Sequence, residues 1–159
     1  MASTDTLPNI GEILLPVLQR TPVEQQPLLI AIAERMAADR YRGWAREVTN
    51  TAQSAELYAC AEREEEIARR VEGLDPNAAA VQQDLVARNP DLEEINRSLF
   101  VDRPLVQQFT IQASGERLGA ATWRSFASRA KDARAREVFL GCATLEEESA
   151  ACLERIVGS

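Results

Sequence analysis

Displaced by 82 residues, this chain lies on itself without a gap, and that self-match limits what it can fold into. Glu34-Arg35 falls on Glu116-Arg117, Tyr41-Arg42 on Trp123-Arg124, and Ala45 on Ala127. Further on, Cys60-Ala61 falls on Cys142-Ala143 and the run Glu64-Glu65-Glu66 on Glu146-Glu147-Glu148. Ala68, Val71 and Glu72 fall on Ala150, Leu153 and Glu154. Agreement at one constant offset marks a duplicated structural unit. In a chain dominated by Ala, Leu, Glu and Arg, with 7 glycines and 7 prolines in 159 residues, that unit is helical. A hydrophobic fraction of 45% with only 5% aromatic residues suits helices packed closely through small side chains. The length suits one domain, 1–159, with its own core.

Start and stop signals divide the chain into helices. Thr21-Pro22-Val23-Glu24 reads as a cap with proline at the first helical position and a capping-box glutamate. The helix it opens runs to about Val48, and Val48-Thr49-Asn50 is a short polar turn. The next helix runs to about Glu72, with Gly73 as its C-cap. Asp75-Pro76 and Asn89-Pro90 each read as a cap followed by a proline at the first helical position, opening two short helices. A third long helix begins near Pro104. Lys131-Asp132 breaks it from a last helix that ends near Val157-Gly158. The expected architecture is all-α: an N-terminal extension over 1–21, one αα-hairpin over 22–72, a helical crossover over 73–103 and a second hairpin over 104–157. The apolar stretch Ile10–Leu18, interrupted by Pro16, covers a bundle end or joins a dimer interface.

Glu34 and Glu64 lie equidistant from the first turn, and Glu116 and Glu146 equidistant from the second. In an antiparallel hairpin such residues stand at one height, here roughly 20 Å from the turn. Steps of three and four from each glutamate meet apolar residues: Ala31, Ala38 and Tyr41 around Glu34; Cys60, Ile67 and Ala68 around Glu64; Ala113, Ala120 and Trp123 around Glu116; Cys142, Ala143 and Ala150 around Glu146. Four glutamates therefore face one core. Glu62, Glu65, Glu66, Glu147 and Glu148 fall off these stripes and read as solvated helix-face charge, paired with Arg63, Arg69 or Arg70. Inward-facing carboxylates cannot all stay ionised and unpaired, because desolvation costs several kcal/mol per ion. They share protons, meet arginines such as Arg35 or Arg117, or bind a cation.

Bundles that bind two metals use this pattern, with one Glu on each of two helices and Glu-x-x-His on the other two. The segment Ala33-Glu34-Arg35-Met36-Ala37-Ala38-Asp39-Arg40-Tyr41 resembles the first-helix motif of the ferritin-like superfamily, in its rubrerythrin branch. Ala61-Glu62-Arg63-Glu64-Glu65-Glu66-Ile67-Ala68 resembles the second-helix motif, Glu116 the third-helix ligand, and Leu145-Glu146-Glu147-Glu148-Ser149-Ala150 the fourth. The resemblance spans about 23–157 and is weakest over 73–104. It implies a ferritin-like four-helix bundle with a long crossover, metal ligands at Glu34, Glu64, Glu116 and Glu146, and oxygen or peroxide chemistry at a diiron centre. The chain departs from the pattern at both histidine places, where Ile67 and Ser149 stand, and it contains no histidine at all. It also lacks the Cys-x-x-Cys pairs of the rubrerythrin iron-sulfur domain.

Three readings of function follow. The favoured one is a ferritin-like bundle with a degenerate dimetal site and no cofactor, kept for non-catalytic binding or assembly and not an enzyme. The second is a carboxylate-only site for manganese, iron, magnesium or calcium, with a rubrerythrin-type dimetal oxidoreductase as its redox-active form. The third is an unrelated helical interaction module. Cys60 and Cys142 are equivalent in the repeat and are either small core hydrophobes or partners approaching each other; Cys152 reads as structural. Tyr41 either packs or donates its hydroxyl to a buried glutamate. The net charge of -7 argues against nucleic-acid binding. The N-terminus has no basic region before its apolar stretch, and no run of about 18 apolar residues occurs, so neither a signal peptide nor a membrane span is expected. The expectation is a cytoplasmic homodimer with reduced cysteines.

Overall fold

The computed structural model describes residues 6–159, and every regular element among them is helical. In chain order these are α1 (Ile10–Gln19), a 3-10 turn (Val23–Gln25), α2 (Gln26–Glu47), α3 (Thr51–Glu72), α4 (Ala78–Arg88), α5 (Leu92–Ser98), α6 (Leu105–Arg129) and α7 (Ala133–Gly158). Residues 1–5 of the N-terminal extension lie outside the described residues. No helix among the described residues is long and apolar enough to cross a membrane.

The 82-residue offset reappears in the element boundaries. α2 ends at Glu47 and α6 at its counterpart Arg129; α3 begins at Thr51 and α7 at its counterpart Ala133. The caps correspond as well. Asn50 accepts from the Gln53 N–H at 3.0 Å, and Asp132 accepts from the Ala135 N–H at 2.8 Å. So do the ion pairs across each helix pair. Arg35 meets Glu72 at 2.5 Å, as Arg117 meets Glu154 at 2.8 Å, and Arg42 meets Glu65 as Arg124 meets Glu147. Edge-on aromatic pairs, Tyr41 with Trp44 and Trp123 with Phe126, complete the correspondence.

Other boundaries differ from the sequence reading. Pro22 is extended and precedes the 3-10 turn, Glu24 makes no cap, and α2 begins with Pro27 in its first turn, where a missing N–H costs nothing. α4 and α5 begin two residues after each expected start, with Asn77 and Asp91 at their N-caps. Asp75 instead folds back on the Asn77 N–H at 2.8 Å, and Asn89 accepts from the Arg20 guanidinium at 2.7 Å. Gly73 does cap α3, but in right-handed geometry (φ -66°) that needs no glycine.

α2 packs along α3, α6 packs along α7, and α3 packs against α7. Contacts run in opposite senses along α3 and α7: Arg63 reaches Ser149, and Arg155 reaches Glu56. The core falls into two apolar clusters. One holds Leu28, Leu29, Ile67, Val71, Trp123, Phe126 and Phe139. The other holds Tyr41, Trp44, Leu57, Cys60, Phe109, Cys152 and Leu153. Each long helix contributes to both, and on each its buried glutamate lies in sequence between the two contributions. The crossover supplies Leu85 and Leu92 to the first cluster and Leu99 and Phe100 to the second. α1 packs on the flank of α6 with Gly11 against Leu118 and Ile10 against Gly115, so it covers neither bundle end.

Candidate metal centre

The four inward glutamates are buried: Glu34 is 8% exposed, Glu64 0%, Glu116 1% and Glu146 2%. Each stands one turn from small or apolar buried residues on its own helix, which is how the stripe pattern fixes its direction. Glu34, Glu64 and Glu146 each offer an oxygen within 4.8 Å of the others, a spacing that one cation can bridge. Glu116 lies outside that triad, though within hydrogen-bonding reach of Glu64 and Glu146.

The donors around these carboxyls are unevenly distributed. Glu116 Oε1 accepts from the Tyr41 hydroxyl at 2.9 Å and from Gln112 Nε2 at 2.5 Å. Glu146 Oε1 accepts from Trp123 Nε1 at 2.9 Å. No donor outside the carboxyl cluster reaches either oxygen of Glu64 or Glu116 Oε2, and within the cluster Glu64 lies in hydrogen-bonding reach of Glu34 and Glu116. Gly119 leaves room for Glu146, since a Cβ there would come within 2.7 Å of its Oε1. Two of these neighbours, Gln112 and Gly119, lie one turn from Glu116 on the same face; that spacing is the only sequence signal for the Gln112 contact.

Arginines do not neutralise the cluster. Arg35 is taken by Glu65 and Glu72, and Arg117 by Glu154, so of the three ways open to the inward carboxyls, pairing with these arginines is not the one adopted. Both project from flanks of their helices where a surface carboxylate is nearer. Arg40, given no role in the sequence reading, is the cation whose charge acts on Glu34. It donates to Gln112 Oε1 at 3.0 Å and to Asn96, and stacks over Phe100 at 3.9 Å. Burial lowers its pKa to about 10. Gln112 thus relays between Arg40 and Glu116. Arg63 goes to Ser149 Oγ at 3.0 Å and Cys60 Sγ at 3.1 Å rather than to a surface glutamate. Of the off-stripe glutamates, Glu62 and Glu65 pair with Arg42, Glu66 with Arg69 and Arg70, and Glu147 with Arg124.

Electrostatics then dictate the chemistry. Burial, with neighbouring carboxylates adding, raises Glu64 and Glu146 well above the ordinary carboxyl value. Burial also raises Glu34. Two carboxylates 4.8 Å apart repel by about 3–4 kcal/mol even at an effective dielectric near 20. The cluster must therefore hold protons or a cation. Tested against the donor set, the site suits a hard divalent ion, because every available ligand atom is carboxylate oxygen and two of them are orphaned. It does not suit a histidine-assisted iron centre. Ile67 is fully buried apolar packing, and Ser149 Oγ is occupied by Arg63.

All three cysteines are free and buried. Cys60 neighbours Cys152 across α3 and α7, not Cys142, its counterpart in the repeat. α3 and α7 run in opposite senses and their equivalent positions meet near Glu64 and Glu146, so Cys60 and Cys142, each one turn earlier, are displaced in opposite directions. No protein-family model matches the chain, and neither the curated proteins nor the solved structures contain a match.

Proposed function

We propose that this chain is a ferritin-like bundle of two repeated αα-hairpins whose dimetal site is reduced to one all-carboxylate position. That position, formed by Glu34, Glu64 and Glu146, holds a single hard divalent cation such as manganese, magnesium or calcium in a binding role without redox turnover. The observation that carries this reading is Glu64: two buried carboxylate oxygens without a donor, beside two further carboxylates within 4.8 Å. A group left in that state costs several kcal/mol unless it is protonated or coordinated. The hairpin assignment is supported by the matching boundaries, caps and ion pairs of the two halves.

When bound, the ion supplies positive charge that lets the three carboxyls ionise together. Glu116 is set apart by Tyr41 and Gln112, which hold its Oε1 and fix its orientation. Ile67 and the Arg63–Ser149 contact occupy the places where imidazoles would tune an iron site, which favours binding over oxygen activation. Elemental analysis of protein purified without chelator tests this: about one divalent ion per chain is expected, lost in Glu64→Ala. Metal-free protein, or two iron ions per chain with peroxide turnover, would overturn it.

A further inference from the structure

Glu56, Cys60, Arg63 and Glu64 follow one another along α3, and Arg155, Cys152, Ser149 and Glu146 follow one another back along α7. Three cross-helix relations fix the register of these rows. Arg155 reaches Glu56 at 3.8 Å, Arg63 Nε donates to Ser149 Oγ at 3.0 Å, and Glu64 and Glu146 share the carboxyl cluster. In that antiparallel register Cys60 stands opposite Cys152. The two thiols lie in hydrogen-bonding reach of each other and in the same apolar cluster, whereas Cys142 belongs to the other cluster.

A cation sits beside the pair. Arg63 Nη2 donates to Cys60 Sγ at 3.1 Å, and its charge favours a thiolate on either sulfur. The hydrogen bond from Cys60 holds Cys152 down to about 7, while burial pushes Cys142 up to about 12. The other charges that act on Cys152 are Glu56 and Arg155, whose side chains are 44% and 65% exposed, and Arg63 is half-buried. The pair is thus covered by charged side chains at the flank where α3 meets α7, within reach of an oxidant little larger than water.

We propose that Cys60 and Cys152 are a redox couple, closed to a disulfide by hydrogen peroxide and reopened by a dithiol, that acts as a covalent latch between α3 and α7. The Cys152 thiolate attacks the peroxide O–O bond and takes up a hydroxyl as sulfenic acid. The other oxygen leaves as hydroxide, which takes the proton that the Cys152 thiol gave up. The Cys60 sulfur then displaces the sulfenic hydroxyl and loses its own proton, so the S–S bond forms and a second water leaves. Two electrons pass from the two sulfurs to the peroxide. A dithiol reverses the bridge by exchange and is itself oxidised to its disulfide.

Thiol counting on the folded, prereduced full chain, treated with hydrogen peroxide at neutral pH in EDTA, tests this. Three thiols are expected before treatment and one after, with a mass loss of two hydrogens and full recovery in dithiothreitol. Cleavage after Glu147 or Glu148 separates Cys142 from Cys152, so a peptide map of the treated wild-type chain identifies the bridged pair whether or not any variant folds. Cys142→Ser should lose both of its thiols, and Cys152→Ala should form no bridge within the chain. The bridge closes a loop that holds more than half of the chain, so it should raise the melting temperature by on the order of 10 °C. Three thiols left free, a bridge through Cys142 or between chains, sulfur oxidation without bridging, or a bridge that leaves the melting temperature unraised would overturn the proposal. EDTA removes divalent ions, so the result is read independently of the cation site.

Discussion

The Tyr41 hydroxyl donates to Glu116 Oε1 at 2.9 Å, crossing from α2 to α6, whereas Trp123, its counterpart in the repeat, donates from Nε1 to Glu146 within its own helix pair. The duplication therefore holds in the scaffold and breaks in the polar layer. Both donors satisfy glutamates of the second half, and Glu64 of the first half receives none. The asymmetry leaves an unpaired carboxylate at the point where three carboxyls converge.

Tyr41→Phe removes the hydroxyl and keeps the ring against Trp44. Glu116 Oε1 retains Gln112, so the loss is one hydrogen bond to a buried acid, about 1–2 kcal/mol. Urea unfolding should show that destabilisation with an unchanged dependence on denaturant. An unchanged midpoint would mean that the bond contributes nothing.

Gly119→Ala should weaken divalent-ion binding by about tenfold or more, because the new Cβ would sit 2.7 Å from Glu146 Oε1 and displace that carboxylate. Gly43→Ala is the control. Nothing lies within 4 Å of a Cβ there, and it should stabilise α2 by about 0.5–1 kcal/mol through helix propensity alone. Equal effects of the two substitutions on metal binding would contradict this assignment of Gly119.

The ionisation of the cluster sets the pH dependence of the metal-free protein. Burial raises Glu34, Glu64 and Glu146 above 4.5, so above that pH the folded state binds more protons than the unfolded one. Their contribution is full below 4.5 and is lost as pH rises through the folded values. Glu66 and Glu154, lowered by hydrogen bonds from Arg70 and Arg69 and from Arg117, act oppositely and lose their contribution below 4.5. Chelator-stripped protein should therefore melt highest at about pH 5 and progressively lower toward pH 8, and manganese should reverse the alkaline fall. A melting temperature that rises from pH 5 to 8 without metal would contradict the cluster's protonation.

The helices were legible because their signals are local. The turn at Val48-Thr49-Asn50, the break at Lys131-Asp132, the apolar stripes and the position of each glutamate follow from spacing along one helix. The roles of Arg40 and Gln112 were not legible, because they depend on which side chains meet between helices. Gln112 has Ile30 as its counterpart and Arg40 has Thr122, so the repeat gave no cue to either. The partners of Arg35 and Arg117 were left open for the same reason: Glu72 and Glu154 lie across a helix pair, beyond the reach of one-helix spacing. The Asp75 and Asn89 caps failed because a short polar side chain before proline can turn on itself or serve a distant donor equally well.

Ile67→His tests the ferritin-like reading itself. It places an imidazole one turn from Glu64, on the same face, in a fully buried position of similar volume. Affinity for zinc or cobalt relative to magnesium should rise by about tenfold or more, with cobalt absorption reporting nitrogen ligation. An unchanged metal preference in a folded variant would mean that position 67 does not face the site.

The most direct measurement is calorimetric titration of chelator-stripped protein with manganese at neutral pH. One ion should bind per chain, with binding lost in both Glu64→Gln and Glu146→Gln and retained in the surface variant Glu147→Gln. No binding by the wild-type chain, or undiminished binding in Glu64→Gln, would contradict the account.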